Sequence, residues 1–273
     1  MEAYIKLMLV FLMLFNGKLM AQQGAKWQLI WQDEFETDGL PDNQKWQYDI
    51  GDGCPQVCQW GNQEQQYYLS DRLKNARVEG GKLIIEAHRE NMNNYQYTSA
   101  RLVTRSKASW KYGKIVVRAR LPKGRGTWPA IWMLPESGIY GGWPESGEID
   151  VMEHVGYITD TIYGSVHTKT YHHSIGTQKT KSINVSDAES EFHDYCIIWD
   201  EDKIDFLIDE NPYFTFHNEK NTHMEWPFDQ KFYLILNLAV GGFWGGKFGI
   251  DEQIWPQKME VEFVRVYEFP DSK

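Results

Sequence analysis

Cysteine is scarce in this 273-residue chain, with three in all, at positions 54, 58 and 196. So few cannot staple a disulfide-dependent miniature fold, and no Cys or His cluster nearby completes a zinc site. Long apolar runs are also missing. The one sustained run, Leu7 to Phe15 ("LMLVFLMLF"), falls short of the ~20 residues a membrane-spanning helix needs. Basic residues are outnumbered 28 to 38, giving a formal net charge of −10. That balance repels polyanions, and no basic stripe interleaved with aromatics offsets it, which argues against nucleic acid and against heavily sulfated polysaccharides. Internal repeats, low-complexity tracts, long helical periodicity and Pro/Ser-rich linkers are absent as well.

What the N-terminus does contain reads as a targeting signal. Lys6 precedes the short apolar run, and Leu19-Met20-Ala21 places a small residue just before Gln22. Residues 1–21 are therefore expected to be a signal peptide and 22–273 one domain. Removing the signal leaves 26 basic and 37 acidic residues, a net charge of −11. The expected location is secreted, extracellular or periplasmic, with no membrane span. An exported chain suits a local disulfide between Cys54 and Cys58 in "GDGCPQVCQWGN"; a metal site there is the alternative, but it lacks further ligands. Cys196, within "YCIIW", reads as a buried strand cysteine.

Strand-like runs dominate the rest. "KLIIEA" (82–87) is short and apolar, and "KIVVRARLP" (114–122) alternates Ile115, Val117, Ala119 and Leu121 against Lys114, Val116, Arg118 and Arg120. "KIDFLIDENPYFTF" (203–216) reads as two strands around a turn at Asp209 to Pro212. "KFYLILNLAVGG" (231–242) and "MEVEFVRVYEF" (259–269) complete the set, the last shifting phase at Val264. Many short strands with Gly, Asn, Asp and Pro turns predict an all-β fold, a sandwich or jelly roll. Aromatics are abundant at 15%, with 12 Trp. They either pack the core or line a groove suited to flat sugar faces, and composition does not choose.

The stretch "EIDVME" (148–153) spaces three acids by two residues and then three. A regular strand keeps i, i+2 and i+4 on one face, so Glu148 and Asp150 conform while Glu153 is out of step. One extra residue at Val151-Met152, a β-bulge with Met152 as its centre, would return Glu153 to that face. Three clustered carboxylates repel one another. Retaining glycoside hydrolysis supplies a use for them, since it needs a carboxylate nucleophile and a protonated acid about 5–5.5 Å apart. The bland alternatives are an exposed strand of solvated acids and a calcium loop, which more often draws its ligands from turns.

Four further segments make a resemblance specific. "GTWPAIWMLP" (126–135), "GGWPESGEIDVMEHVG" (141–156), "GSVHTK" (164–169) and "LNLAVGGFWGG" (236–246) resemble glycoside hydrolase family 16, in particular its laminarinase (endo-1,3-β-glucanase) branch. "WQDEF" (31–35), "WGNQEQQYY" (60–68) and "SARLVTR" (99–105) match too, so nearly the whole mature chain is covered in order. The resemblance implies a β-jelly-roll sandwich of two antiparallel sheets with an open concave cleft. It implies Glu148 as nucleophile, Glu153 as general acid and base, and Asp150 as the auxiliary acid between them. Trp132 and Trp143 match cleft positions, with Trp128 and Trp244 as stacking platforms; Asn62, Arg101, His167 and Asn237 match polar cleft positions, and Glu64 is a weaker candidate. His172 and His173 are expected on a surface loop.

Catalysis of this kind requires no cofactor. Family members carry a structural calcium, which by position would take Glu34, Gly81 and Glu262, through backbone carbonyls and one carboxylate; this chain has Glu at 262 where Asp is usual. The implied substrate is a β-glucan polysaccharide or oligosaccharide, cut at internal β-1,3 bonds by a chain expected to be a monomer. Mixed-linkage β-1,3-1,4-glucan and other family 16 polysaccharides are the alternatives. A non-catalytic glucan-binding protein on the same scaffold would be expected to have lost the acids, and all three are present.

Overall fold

The computed structural model describes residues 27–269, and the stretch read as a signal peptide lies outside the described residues. Its regular structure is β1 (Gln28–Asp33), β2 (Gln47–Tyr48), β3 (Gln66–Tyr68), β4 (Ala76–Val78), β5 (Leu83–Met92), β6 (Tyr95–Ser99), β7 (Arg101–Val103), β8 (Gly113–Arg120), β9 (Thr127–Pro135), β10 (Glu148–Glu153), β11 (Thr161–His167), β12 (Lys179–Asn184), β13 (His193–Trp199), β14 (Lys203–Ile208), β15 (Asn211–His217), β16 (Phe232–Val240) and β17 (Gln257–Glu268). Two single 3-10 turns, Cys58–Gly61 and His173–Ile175, are the helical pieces among the described residues.

The strands form two sheets. One runs β12-β11-β10-β9-β16-β7-β2; the other runs β15-β14-β13-β8-β17-β5-β6-β3, with β1 beside β17 and β4 beside β5. Pairing is antiparallel except for the three-residue β3 beside β6, which is parallel. The sheets pack face to face as a jelly-roll sandwich. Period-two alternation decides what enters the space between them: Ile115 and Val117 from β8 and Val264 and Val266 from β17 meet Ile131 and Met133 from β9 and Leu234 and Leu236 from β16. β16 is buried along all nine residues, because its other face carries Tyr233 and Ile235 against Val103, Trp132 and Leu134. That explains why "LILNLAV" reads as a continuous apolar run rather than an alternating one.

Two strand expectations shift in detail. The turn between β14 and β15 needs only Asp209 and Glu210, both left-handed at φ 48° and 67°, so Pro212 falls inside β15. Pro is tolerated there because β15 is a sheet edge. The phase change in β17 is a register shift against β8 between Val261 and Phe263, just before the expected Val264. It turns Phe263 out of the core, where the Arg265 guanidinium lies 3.8 Å from its ring centre. The expected disulfide is formed, Cys54 to Cys58, and Cys196 is a buried free thiol whose pKa burial pushes up to about 12.

Gly156, just beyond β10, is fully enclosed: an added Cβ would overlap the backbone oxygen of Gly124 and Oγ1 of Thr127. Thr127 Oγ1 is itself tied to Gly124 O at 2.9 Å, so neither atom is free to move. Gly156→Ala is expected to cost about 3 kcal/mol by overpacking, read as a lowered urea midpoint at unchanged slope.

Candidate active site

β10 carries the bulge that the acid spacing predicts. Against β9, Asp150 pairs with Trp132 and Met152 with Ile131, so Val151 is the residue left without a partner. Against β11, Asp150 pairs with Ser165 and Glu153 with Tyr163, so both Val151 and Met152 span the gap. The extra residue is thus Val151 on the β9 side, one position before the expected Met152. Both side chains are buried in the core, and it is this apolar anchoring that holds the irregularity in place.

The outcome is that Glu148, Asp150 and Glu153 share the outer face of the seven-stranded sheet. Glu148 Oε2 accepts a hydrogen bond from Trp143 Nε1 at 2.9 Å. Glu153 Oε1 accepts one from Trp128 Nε1 at 3.0 Å. His167, paired with Glu148 across β10 and β11, places Nε2 3.3 Å from Asp150 Oδ2 and 3.7 Å from Glu148 Oε1. Each acid's charged form is penalised first by desolvation. Burial and the Asp150 charge push Glu148 up to about 8, and burial, opposed by His167 and the Trp128 bond, leaves Glu153 at about 7. Asp150 lies deepest and is raised well above the usual range by burial and by Glu153. The charge of Asp150 raises Glu148 across a close approach, so between them the two retain a proton near neutrality.

A second polar group flanks the acids. Glu64 is buried, and burial raises its pKa. It accepts hydrogen bonds from Gln66 Nε2 at 2.6 Å, Asn62 Nδ2 at 3.2 Å and Tyr68 Oη at 3.5 Å. Tyr68 Oη in turn accepts from Asn237 Nδ2 at 3.0 Å, and Asn237 Oδ1 accepts from Trp132 Nε1 at 2.6 Å. Arg101 lies between the rings of Trp60 and Trp132, 4.3 and 4.7 Å from their centres, with Nε 3.1 Å from Asp49 Oδ2. The structure therefore brings Asn62, Glu64, Arg101, Trp132 and Asn237 into one connected network. Trp60, Gln66, Tyr68 and Asp49 were not singled out from sequence, although the first three lie inside or beside the quoted "WGNQEQQYY" and could have been found there.

Aromatic rings border the acids at both ends. Trp128 and Trp244 meet edge to face at 5.5 Å, and Tyr163 adds a further edge to Trp244 at 5.0 Å. Trp143 is 45% exposed, enough for one indole face to meet a ligand. His172 and His173 do lie on a loop, but their rings pack 5.7 and 5.1 Å from Trp143, so they belong to the rim of the site. Adjacent histidines in a Thr/Ser/Gly-rich segment give no sequence signal for that contact.

The residues expected to hold calcium lie apart from this face and are otherwise engaged. Glu262, the carboxylate of the set, faces Arg118 Nε at 2.7 Å. The side chain of Glu34 is held at both oxygens by Arg265, and Gly81 is on the exposed turn between β4 and β5. An ion bound through the Glu34 and Gly81 backbone oxygens would have to draw the one expected carboxylate, Glu262, away from Arg118.

Buried carboxylates in graded environments, flanked by indole platforms on an antiparallel sandwich, define the chain as a glycoside hydrolase. More narrowly, it belongs to glycosyl hydrolases family 16, whose model matches residues 60–265. The chain is 52% identical over 258 residues to a beta-glucanase of Rhodothermus marinus, covering 92% of this chain and 88% of that protein. It is 40% identical over 259 residues to a glucan endo-1,3-beta-glucosidase of Cryptopygus antarcticus, covering 88% and 91%. The crystal structure of the laminarinase from Rhodothermus marinus superposes with a TM-score of 0.87 at 52% identity, covering 90% of this chain and 99% of that one.

The raised pKa of Glu148 links the site to stability. Its folded-state value, about 8, lies above the ordinary 4.5. The stability it contributes is therefore fully present below pH 4.5 and is lost as pH rises through about 8. Glu148→Gln removes that loss, so the Tm difference, variant minus wild type, is expected to grow across this window. The gain is a few degrees, at about 2–4 °C per kcal/mol for a domain of this size. A pH series of calorimetric scans checks it, and a flat difference would contradict the buried, proton-sharing arrangement.

Proposed function

We propose that the protein is an endo-1,3-β-glucanase that cleaves internal bonds of laminarin-like β-glucans with retention of anomeric configuration. The observation that carries this is the bulged strand β10, which brings three acids of different burial and different hydrogen-bond partners to one face. The family membership and the glucanase relatives support the same substrate class.

In the first step the Glu148 carboxylate attacks the anomeric carbon while Glu153 transfers its proton to the leaving glycosidic oxygen. The Trp143 bond keeps Glu148 aimed, and passing the pair's retained proton to Asp150 leaves Glu148 as the attacking carboxylate. The leaving sugar departs with the proton of Glu153, and a glycosyl ester to Glu148 remains. In the second step Glu153, now ionised, takes a proton from water, whose oxygen displaces Glu148 from the same carbon. Two inversions give net retention. The Trp128/Trp244 edge, the exposed Trp143 face and the Arg101 network supply surfaces on which sugar rings lie on either side of the scissile bond. We further propose that the chain acts as an exported monomer. The Cys54–Cys58 disulfide is consistent with export, and no helix among the described residues is long and apolar enough to cross a membrane.

Glu148→Ala and Glu153→Ala are each expected to lower glucan cleavage by about a thousandfold or more, with unchanged far-UV circular dichroism. Reducing-end release from laminarin, lichenan, agarose and carrageenan, measured side by side, is expected to be fastest on laminarin. A faster rate on lichenan would move the assignment to mixed-linkage glucan. Proton NMR of the first product should show the β-anomer, and an initial α-anomer would overturn the double displacement.

Because Glu148 must be ionised and Glu153 protonated, with values of about 8 and about 7, kcat/KM is expected to peak between these two and to carry an alkaline limb that reports loss of the Glu153 proton. The limiting slope is about tenfold per pH unit. The pH profile of Glu153→Gln should lack this limb.

A further inference from the structure

Glu153 ends β10, and the residue after it, His154, has no exposed surface. Pairing with β11 stops at Glu153, while backbone bonds toward β9 continue beyond it. The backbone N–H of His154 makes only a long bond to Pro129 O, 3.3 Å, and the next ladder-like contact is Gly156 N to Thr127 O at 3.1 Å. On the β11 side the strand end is held through the His154 side chain. Its Nδ1 lies 2.9 Å from the backbone oxygen of Thr161, at the start of β11. Its Nε2 lies 3.2 Å from Glu189 Oε1.

The chemistry of these partners dictates the proton count. A backbone carbonyl only accepts, so Nδ1 carries a hydrogen. Nε2 faces a carboxyl oxygen, and two lone pairs would repel at that distance. As placed, neither Nε2 nor Glu189 Oε1 has a hydrogen-bond partner, and a small rotation that aligns the two would give each one.

Glu189 belongs to the segment that leaves β12 in one sheet and enters β13 in the other. That segment is itself anchored. Glu189 N donates to Asp160 Oδ1 at 3.2 Å, and the oxygen of the fully buried Ala188 accepts from Leu121 N at 3.2 Å. His154 thus ties the strand end that carries Glu153 to a fixed crossing between the two sheets.

We propose that the His154–Glu189 pair is a positioning device for Glu153, setting the direction in which that carboxyl delivers its proton. The inference rests on Glu153 being the general acid. Neither His154 nor Glu189 touches substrate in this scheme; both act through the backbone of β10, where a misplacement of the reacting group by about 1 Å can cost a hundredfold in rate.

The test uses substrates that differ in their need for an acid. A β-1,3-glucan has a sugar leaving group that must be protonated, whereas a dinitrophenyl glycoside of a β-1,3-linked disaccharide has one that need not be. Added azide replaces the water that Glu153 would activate. Glu189→Ala is expected to lower kcat on the glucan about tenfold with KM changed less than about twofold, and to keep near-wild-type turnover of the aryl glycoside in azide. His154→Ala should show the same pattern more strongly. Glu189→Gln should recover most of the loss, since its amide N–H can donate to Nε2 of a neutral His154. Glu189 sits on a partly exposed loop, so its variants report even if His154→Ala fails to fold. Wild-type kcat on the glucan in Glu189→Ala, or equal losses on both substrates, would overturn the device. Glu153→Ala separates the two levels. If azide fails to restore its aryl glycoside turnover, the acid role falls and the inference with it; if azide restores it while the Glu189 variants lose equally on both substrates, the inference falls alone.

Discussion

Placing three carboxylates on one face of one strand, largely out of water, is the constraint on which the rest of this structure depends. Desolvation and mutual repulsion penalise the fully ionised set, so protons are retained where ordinary acids would have lost them. The same penalty makes the chemistry available at neutral pH. A carboxyl that keeps its proton near pH 7 donates it, and a neighbour relieved by a shared proton attacks as a carboxylate. Trp143 and Trp128 give the two outer acids one indole donor each, which holds them apart without adding a compensating charge.

Such a cluster needs rigid support, because repelling groups separate wherever the backbone yields. The sandwich provides it on both sides. Below the acids, Ile149, Val151 and Met152 enter the core and fix the bulge. Beside them, the Glu64–Tyr68–Asn237–Trp132 chain links a loop and three strands through hydrogen bonds, and Arg101 is clasped between two indoles and Asp49. These polar groups are buried and mostly satisfied by one another, which makes the network stiff and costly to break at any single member. Beyond the bulge, where pairing with β11 ends, the His154 side chain reaches the Thr161 carbonyl and approaches Glu189.

Much of this was legible in the residues. The two-then-three spacing in "EIDVME" announces a bulge because a strand has a strict period of two, and any departure from it must be paid in geometry. The alternation in "KIVVRARLP" and the turn after "KIDFLI" became β8 and the β14–β15 hairpin with small changes in boundary. Less visible was which residue of the bulge loses its partner: β9 and β11 make different pairings with β10, and only their joint register selects Val151 on one side. The rim role of His172 and His173 was hidden for a similar reason, since it depends on a loop returning to Trp143 from a distance in sequence. The contact of Glu262, the carboxylate expected to serve calcium, with Arg118 was hidden for the same reason, since the two are far apart along the chain.

Sequence by itself determined the strand content, the insertion in the acidic strand and the identity of the three acids, because each follows from local period and residue type. Tertiary structure alone decided how those acids differ. Burial depth, the Trp143 and Trp128 donors, the contact of His167 with Asp150 and the His154–Glu189 contact behind Glu153 all come from segments separated in the chain. The physical reason is that a carboxyl's proton affinity is set by the dielectric and charges around it in space, and neither is a property of its neighbours in sequence.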